Sequence, residues 1–83
     1  MTHPEFWITA KPETRMDFEI EIEREEDGRW IAEVPSLPGV MVYGDTRAQA
    51  VTKAQALALH VIADRIEHGE AAADPLRVTI QAA

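Results

Sequence analysis

Four acidic side chains at alternate positions form the densest group of chemically capable residues in this chain. They are Asp17, Glu19, Glu21 and Glu23. Carboxylates that converge from several elements can hold the two metal ions of a nuclease. These four instead follow one strand-like segment, and the predicted helix adds only Asp64 and Glu67 on its polar side. The pattern therefore favours a solvated or partner-facing acidic surface over a metal site.

Histidine, serine and cysteine form no catalytic pattern in the sequence. Two of the three histidines, His60 and His68, are more than two helical turns apart and on different faces of the predicted helix. The single serine, Ser36, lies in a proline-rich turn and lacks the glycine elbow of hydrolases. There is no cysteine and no phosphate-binding glycine loop. We therefore predict no enzymatic activity, no catalytic residue, no metal ligand and no cofactor.

The charge balance of the chain bounds its partners. Its 83 residues include 15 acidic and 8 basic side chains, for a net charge of −7. Nucleic-acid binding needs clustered Lys and Arg, so we expect no direct contact with nucleic acid. The charge favours a basic partner, although solubility alone explains the same excess. With no apolar run long enough for a membrane and no signal pattern, we expect a cytoplasmic protein.

Residues 1–15 are predicted to form an N-terminal arm, and residues 16–83 a single domain. The arm holds two prolines and one apolar group, Phe6-Trp7-Ile8. Trp7 is a candidate contact with a second subunit or a partner. A short extra strand, or disorder, is the alternative.

Strict alternation from Met16 to Arg24 predicts a half-buried first strand, with the acidic side chains on its wet face. A three-residue loop with Gly28 in the left-handed conformation keeps the apolar face continuous into the second strand, Arg29–Val34. That register pairs Ile22 with Ala32 and Ile20 with Val34, and it places Trp30, a predicted packing residue, beside Arg24.

Three residues are predicted to shape the corner after the second strand: Pro35, Pro38 and Gly39. A third strand, Val40–Tyr43, follows. Thr46 is the predicted cap of a helix, and Gln49 completes a capping box.

The helix is predicted from about Arg47 to His68, with a stop at Gly69. Ala54 and Ala58 lie near the centre of its apolar stripe, so the helix can approach a sheet closely. Leu59, Ala63 and Ile66 widen the stripe and are candidate oligomer contacts. Packing under the last strand or the arm is the alternative.

After Pro75, a last strand is predicted from the alternation of Leu76, Val78 and Ile80 with polar residues. A right-handed crossover places this strand beside and parallel to the first. The prediction is an α+β fold of β-β-β-α-β order, with strand order 3-2-1-4 and one long helix on one face of the sheet.

The segment from Phe18 to Gly69 resembles the HicB-like antitoxins of bacterial toxin–antitoxin systems. The motifs that carry the resemblance are Glu26-Asp27-Gly28 followed by Trp30, the run Val-Pro-Ser-Leu-Pro-Gly that ends at Gly39, and Gly44-Asp45-Thr46 before an alanine-rich helix. Two features depart from the family. Val40 stands where the family often has cysteine, and we expect no counterpart of the DNA-binding module that many members carry.

The resemblance implies a partial RNase H-like fold that has lost its catalytic function. It also implies a partner, a small basic HicA-like toxin that cleaves mRNA with a catalytic histidine. An acidic protein that covers such an active site competes with RNA for it. Because family members commonly self-associate, a homodimer or homotetramer is implied as well.

Two other functions stay open at this point. The chain could be an orphan HicB-like oligomer with a structural or regulatory role, or a residual metal-dependent RNase H-like nuclease. For the antitoxin function, our hypothesis is that the toxin meets the wet face of the first strand, through Asp17, Glu19, Glu21 and Glu23.

Overall fold

The computed structural model describes residues 14–69 and 76–83, which form one mixed sheet and one long helix. In chain order the elements are β1 (Thr14–Arg24), β2 (Trp30–Glu33), β3 (Met41–Gly44), α1 (Arg47–Glu67) and β4 (Leu76–Ala82). The strand order is β3-β2-β1-β4, with β4 parallel to β1 and the other pairs antiparallel. The predicted α+β fold, its strand order and its single helix are confirmed.

The register of β1 and β2 follows from the alternation of apolar and acidic side chains. Ile22 lies opposite Ala32, and Arg24 lies opposite Trp30, as predicted. The ladder ends at the pair of Glu21 and Glu33. Because side chains alternate along a strand, this register places the apolar residues of β1, together with Trp30 and Ala32 of β2, on the helix side of the sheet. Ile31 of β2 lies on the other side.

A three-residue loop joins these two strands. The Glu25 N–H donates to the Arg29 carbonyl at 2.7 Å, and the Gly28 N–H donates to the Glu25 carbonyl at 3.0 Å. Gly28 has a φ of +92°, in the left-handed region. This is the predicted loop, in which glycine takes the position that other residues adopt only with strain.

The first strand, β1, begins at Thr14, two residues before the predicted start at Met16. Thr14 pairs with Leu76 and Arg15 pairs with Arg77. The parallel ladder with β4 therefore extends β1 into the segment assigned to the arm. The remainder of the arm, Trp7 included, lies outside the described residues.

The corner between β2 and β3 is a packed element as well as a turn. The Val34 N–H donates to the Val40 carbonyl at 3.0 Å, and the Leu37 N–H donates to the Val34 carbonyl at 2.9 Å. Gly39 has a φ of +91°, and the prolines at positions 35 and 38 are exposed. The prolines restrict the backbone while Leu37 enters the core, a role that the sequence analysis did not assign.

The N-terminus of α1 has the predicted cap. The Gln49 N–H donates to Thr46 Oγ1 at 3.0 Å. The Gln49 side chain in turn accepts from the Asp45 N–H at 2.6 Å, one residue before the N–H that a capping box uses. The C-terminus differs little from the prediction, with His68 as the C-cap and Gly69 at a φ of +74°.

The hydrophobic core lies between α1 and the sheet. The buried residues of the helix recur at every fourth position: Ala50, Ala54, Ala58 and Ile62. Opposite them lie the buried residues of the sheet and the corner, Ile20, Ala32, Val34, Leu37 and Val40. Small helix residues bring the helix axis close to the sheet, so that α1 packs mainly on β3 and β2.

Candidate partner-binding face

The face of the sheet that points away from α1 is the candidate functional site, and we call it the open face. The alternation of side chains along each strand determines which residues lie on the open face. From β1 it receives the four predicted acidic residues, all of them exposed: Asp17, Glu19, Glu21 and Glu23. It also receives Arg15 from β1. From the other strands it receives Ile31, Glu33, Met41, Tyr43, Arg77, Thr79 and Gln81.

Glu33 enlarges the acidic row beyond the prediction. It lies directly opposite Glu21 in the ladder of β1 and β2, and it is exposed. Like charges in directly opposed positions destabilise a strand pair. The predicted register already implied this pair, so the signal that could have identified Glu33 was present in the sequence.

No ion pair joins the five carboxylates of the open face to another residue in the described ranges 14–69 and 76–83. Glu21, Glu23, Glu33 and Ile31 are among the residues that line an open depression. A second shallow depression lies farther along β1, between Asp17 and Gln81. The two arginines of the open face, Arg15 and Arg77, lie at the opposite end of β1 from Glu21, Glu23 and Glu33. The concentrated negative charge at the β2 end attracts cations and slows the approach of other acidic molecules.

An apolar patch adjoins the acidic row on the side of β3. It consists of Ile31, Met41 and Tyr43, in which Met41 is 52% and Tyr43 is 39% exposed. The ladder places Ile31 between Glu23 and Tyr43, so the acidic and apolar parts are in direct contact. Tyrosine and methionine are enriched at protein interfaces. This patch was not predicted from the sequence, because no face was assigned to the side chains of the third strand.

Arg29 positions the ring at the far end of this patch. Its guanidinium lies over the Tyr43 ring, 4.5 Å from the centroid. Its Nε also donates to Asp27 Oδ2 at 2.8 Å, and its N–H donates to Asp27 Oδ1 at 3.0 Å. These bonds from Arg29 lower the pKa of Asp27 from its ordinary value of 3.8. The turn therefore holds one cation beside an aromatic ring at the edge of the open face.

The structural residues named from the sequence lie away from this face or shape the elements beside it. Trp30 is half-buried on the helix side, with the Arg24 guanidinium 5.9 Å from the ring centroid. Thr46 caps α1. Gly28 and Gly39 supply the two left-handed turn positions before and after β2.

The predicted oligomer contacts form a separate surface on α1. Leu59 is 52% and Ile66 is 39% exposed, and Ala63 between them is exposed too. Nothing in the described part of the chain covers this surface. The helix flank and the acidic row therefore lie on opposite sides of the domain.

No group of three or more His, Cys, Asp or Glu side chains within residues 14–69 and 76–83 is arranged to hold a metal ion. No helix in the same ranges is long and apolar enough to cross a membrane.

Known proteins give no further guide to the site. Comparisons of the chain with protein-family models, with curated proteins and with solved structures found no match.

Proposed function

We propose that this protein is an antitoxin-type binding protein of the cytoplasm that neutralises a small, basic, HicA-like mRNA-cleaving toxin. The observation that carries the proposal is the open face, where five carboxylates that form no ion pair within the described ranges adjoin half-buried Ile31 and exposed Met41 and Tyr43. The resemblance of the sequence to HicB-like antitoxins supplies the identity of the partner. The protein acts by occupying a surface and needs no cofactor.

The acidic row is expected to accelerate the association of this protein with the basic toxin. A ribonuclease that binds an RNA backbone presents a positive surface, and a negative face of matching size competes for it. Complementary charge raises association rates and discriminates against wrong partners. Inhibition is therefore expected to weaken as the salt concentration rises, because dissolved ions screen exposed charges over a shorter distance, about 8 Å at 0.15 M.

The apolar patch is expected to slow the dissociation of the complex with the toxin. A few buried aromatic and apolar anchors carry most of the binding energy in protein interfaces. Tyr43 is pre-oriented by Arg29, so little conformational entropy is lost when it is buried. Charge and apolar area lie side by side, and together they suit a partner whose basic groups surround an apolar contact.

The first test asks whether this protein inhibits the cleavage of mRNA by a toxin. The toxin to be used is a small basic protein whose gene lies next to the gene for this chain. The wild-type chain is expected to abolish cleavage at equimolar concentration. The double variant Glu21→Lys with Glu23→Lys should weaken inhibition by about tenfold or more, because like charges then face each other across the interface.

A matched control separates the effect of charge on the open face from the effect of the protein's net charge. The double variant Asp64→Lys with Glu67→Lys changes the charge equally, at exposed positions on α1, and it should inhibit as the wild type does. Equal weakening by both double variants would contradict the assignment of the open face. Cleavage unaffected by the wild-type chain would contradict the antitoxin function itself.

A second candidate function rests on the exposed flank of α1. Leu59, Ala63 and Ile66 present an apolar surface without a described partner, which favours a homodimer or homotetramer with a structural or regulatory role and no toxin. Light scattering on Leu59→Glu tests it. Loss of the oligomer in that variant, with no toxin inhibition by the wild type, would favour this function.

A further inference from the structure

The outer edge of β4 is a hydrogen-bonding surface that the described residues leave open. β4 ends the strand order β3-β2-β1-β4. The Ala83 N–H donates to the Ile20 carbonyl at 2.9 Å, which directs the backbone groups of odd-numbered residues toward β1. By alternation, the groups that point to the outer edge belong to Leu76, Val78, Ile80 and Ala82.

The opposite edge of the sheet is protected by comparison. β3 is only four residues long. Lys53 Nζ donates to the Tyr43 carbonyl at 3.3 Å, and short strands and lysines are the usual means of blocking edge pairing. β4 has seven residues, with no proline and no glycine, and one charged side chain, Arg77.

We propose that β4 pairs antiparallel with β4 of a second copy of this chain, about a twofold axis through Thr79. The two four-stranded sheets then form one continuous sheet. In this register Val78 lies opposite Ile80 of the second copy, and Leu76 lies opposite its Ala82. Every outward backbone group of β4 obtains a partner.

Side-chain chemistry selects this register among the possible ones. Val78 and Ile80 extend the apolar side of the sheet, where they are half-buried. On the other side, Arg77 lies opposite Gln81 and no like charges meet. A register centred on Arg77 would oppose two guanidinium groups, which destabilises a strand pair.

The charge distribution also favours β4 over other surfaces. Two copies of net charge −7 repel each other, yet β4 contributes no carboxylate. Among the described residues, its nearest acidic neighbours belong to β1, one strand away. The twofold axis is perpendicular to the sheet, so both acidic rows remain exposed on the same side and both helices lie on the other.

The test is the mass of the full chain in solution, measured by sedimentation equilibrium. The wild type is expected to form a dimer or an even-numbered assembly. Thr79→Lys and Thr79→Glu each place two like charges at the axis, and each should halve the mass, with a dissociation constant raised by about tenfold or more. An equimolar mixture of the two variants should restore the wild-type mass.

Controls keep the result independent of folding and of net charge. Thr52→Lys makes the same substitution at an exposed position on α1 and should leave the mass unchanged. Circular dichroism should report the same secondary structure for all variants.

Two results would overturn the pairing. One is a wild-type chain that stays monomeric at all accessible concentrations. The other is a pair of Thr79 variants whose masses equal that of the wild type.

Discussion

At the scale of single residues, Gly44 and Thr46 determine where α1 begins and how closely it packs on the sheet. Thr46 was predictable, because an N-cap acts within one turn of its own helix. Gly44 was not, because its constraint comes from tertiary packing. A Cβ at Gly44 would lie 2.6 Å from the Ala50 nitrogen and 2.9 Å from the Ala50 Cα. Only glycine allows the helix to start so close to the end of β3.

The cap makes a residue-scale prediction. Thr46→Ala removes the acceptor of the Gln49 N–H and should lower the free energy of unfolding by about 1 kcal/mol. Urea unfolding followed by circular dichroism measures it. Thr46→Ser is the control, since it retains the hydroxyl and should stay within a few tenths of a kcal/mol of the wild type. Equal losses in both variants would show that the methyl group, not the hydrogen bond, matters.

At the scale of elements, periodicity carried most of the prediction. The register of β1 and β2 followed from keeping one face apolar, since a slip of one residue would reverse every side chain. Contacts distant in sequence were harder to predict. The start of β1 depends on β4, and the burial of Leu37 depends on how the corner folds back onto the core. Neither leaves a periodic signal in its own segment.

The β1–β2 turn makes a prediction about pH. Hydrogen bonds from Arg29 lower the pKa of Asp27 below 3.8, so its ionised form stabilises the folded state. This contribution is complete above about pH 5 and is lost as the pH falls through the lowered pKa. Asp27→Asn should therefore reduce the unfolding temperature at pH 7, and the difference from the wild type should shrink as the pH falls through the lowered pKa of Asp27.

Thermal unfolding between pH 7 and pH 2 measures this convergence. Glu26→Gln is the control, because it removes an exposed carboxylate from the same turn without touching Arg29. A difference between Asp27→Asn and the wild type that persisted at the lowest pH would contradict the role of the ionised carboxyl.

At the scale of the whole molecule, charge is divided unequally between the surfaces. The wet face of β1 was predictable from alternation, and the structure confirms that its acidic residues share one exposed face. The apolar patch beside them was missed, because it arises only when β3 is laid next to β2 in register. The candidate site is therefore a property of the assembled sheet, and no single segment of the sequence contains it.

The unequal charge makes a prediction about stability and binding together. Glu21 and Glu33 are directly opposed, and their repulsion should destabilise the free domain by about 0.2–1 kcal/mol. Glu21→Gln and Glu33→Gln should each raise the free energy of unfolding at low salt, and less so at 1 M salt. The double variant should gain less than the sum, because the repulsion can be removed only once. Each substitution should also slow association with the basic toxin. In the wild type, Glu21 and Glu33 would therefore lower the stability of the free domain and favour formation of the complex. Strictly additive gains that did not depend on salt would contradict this account.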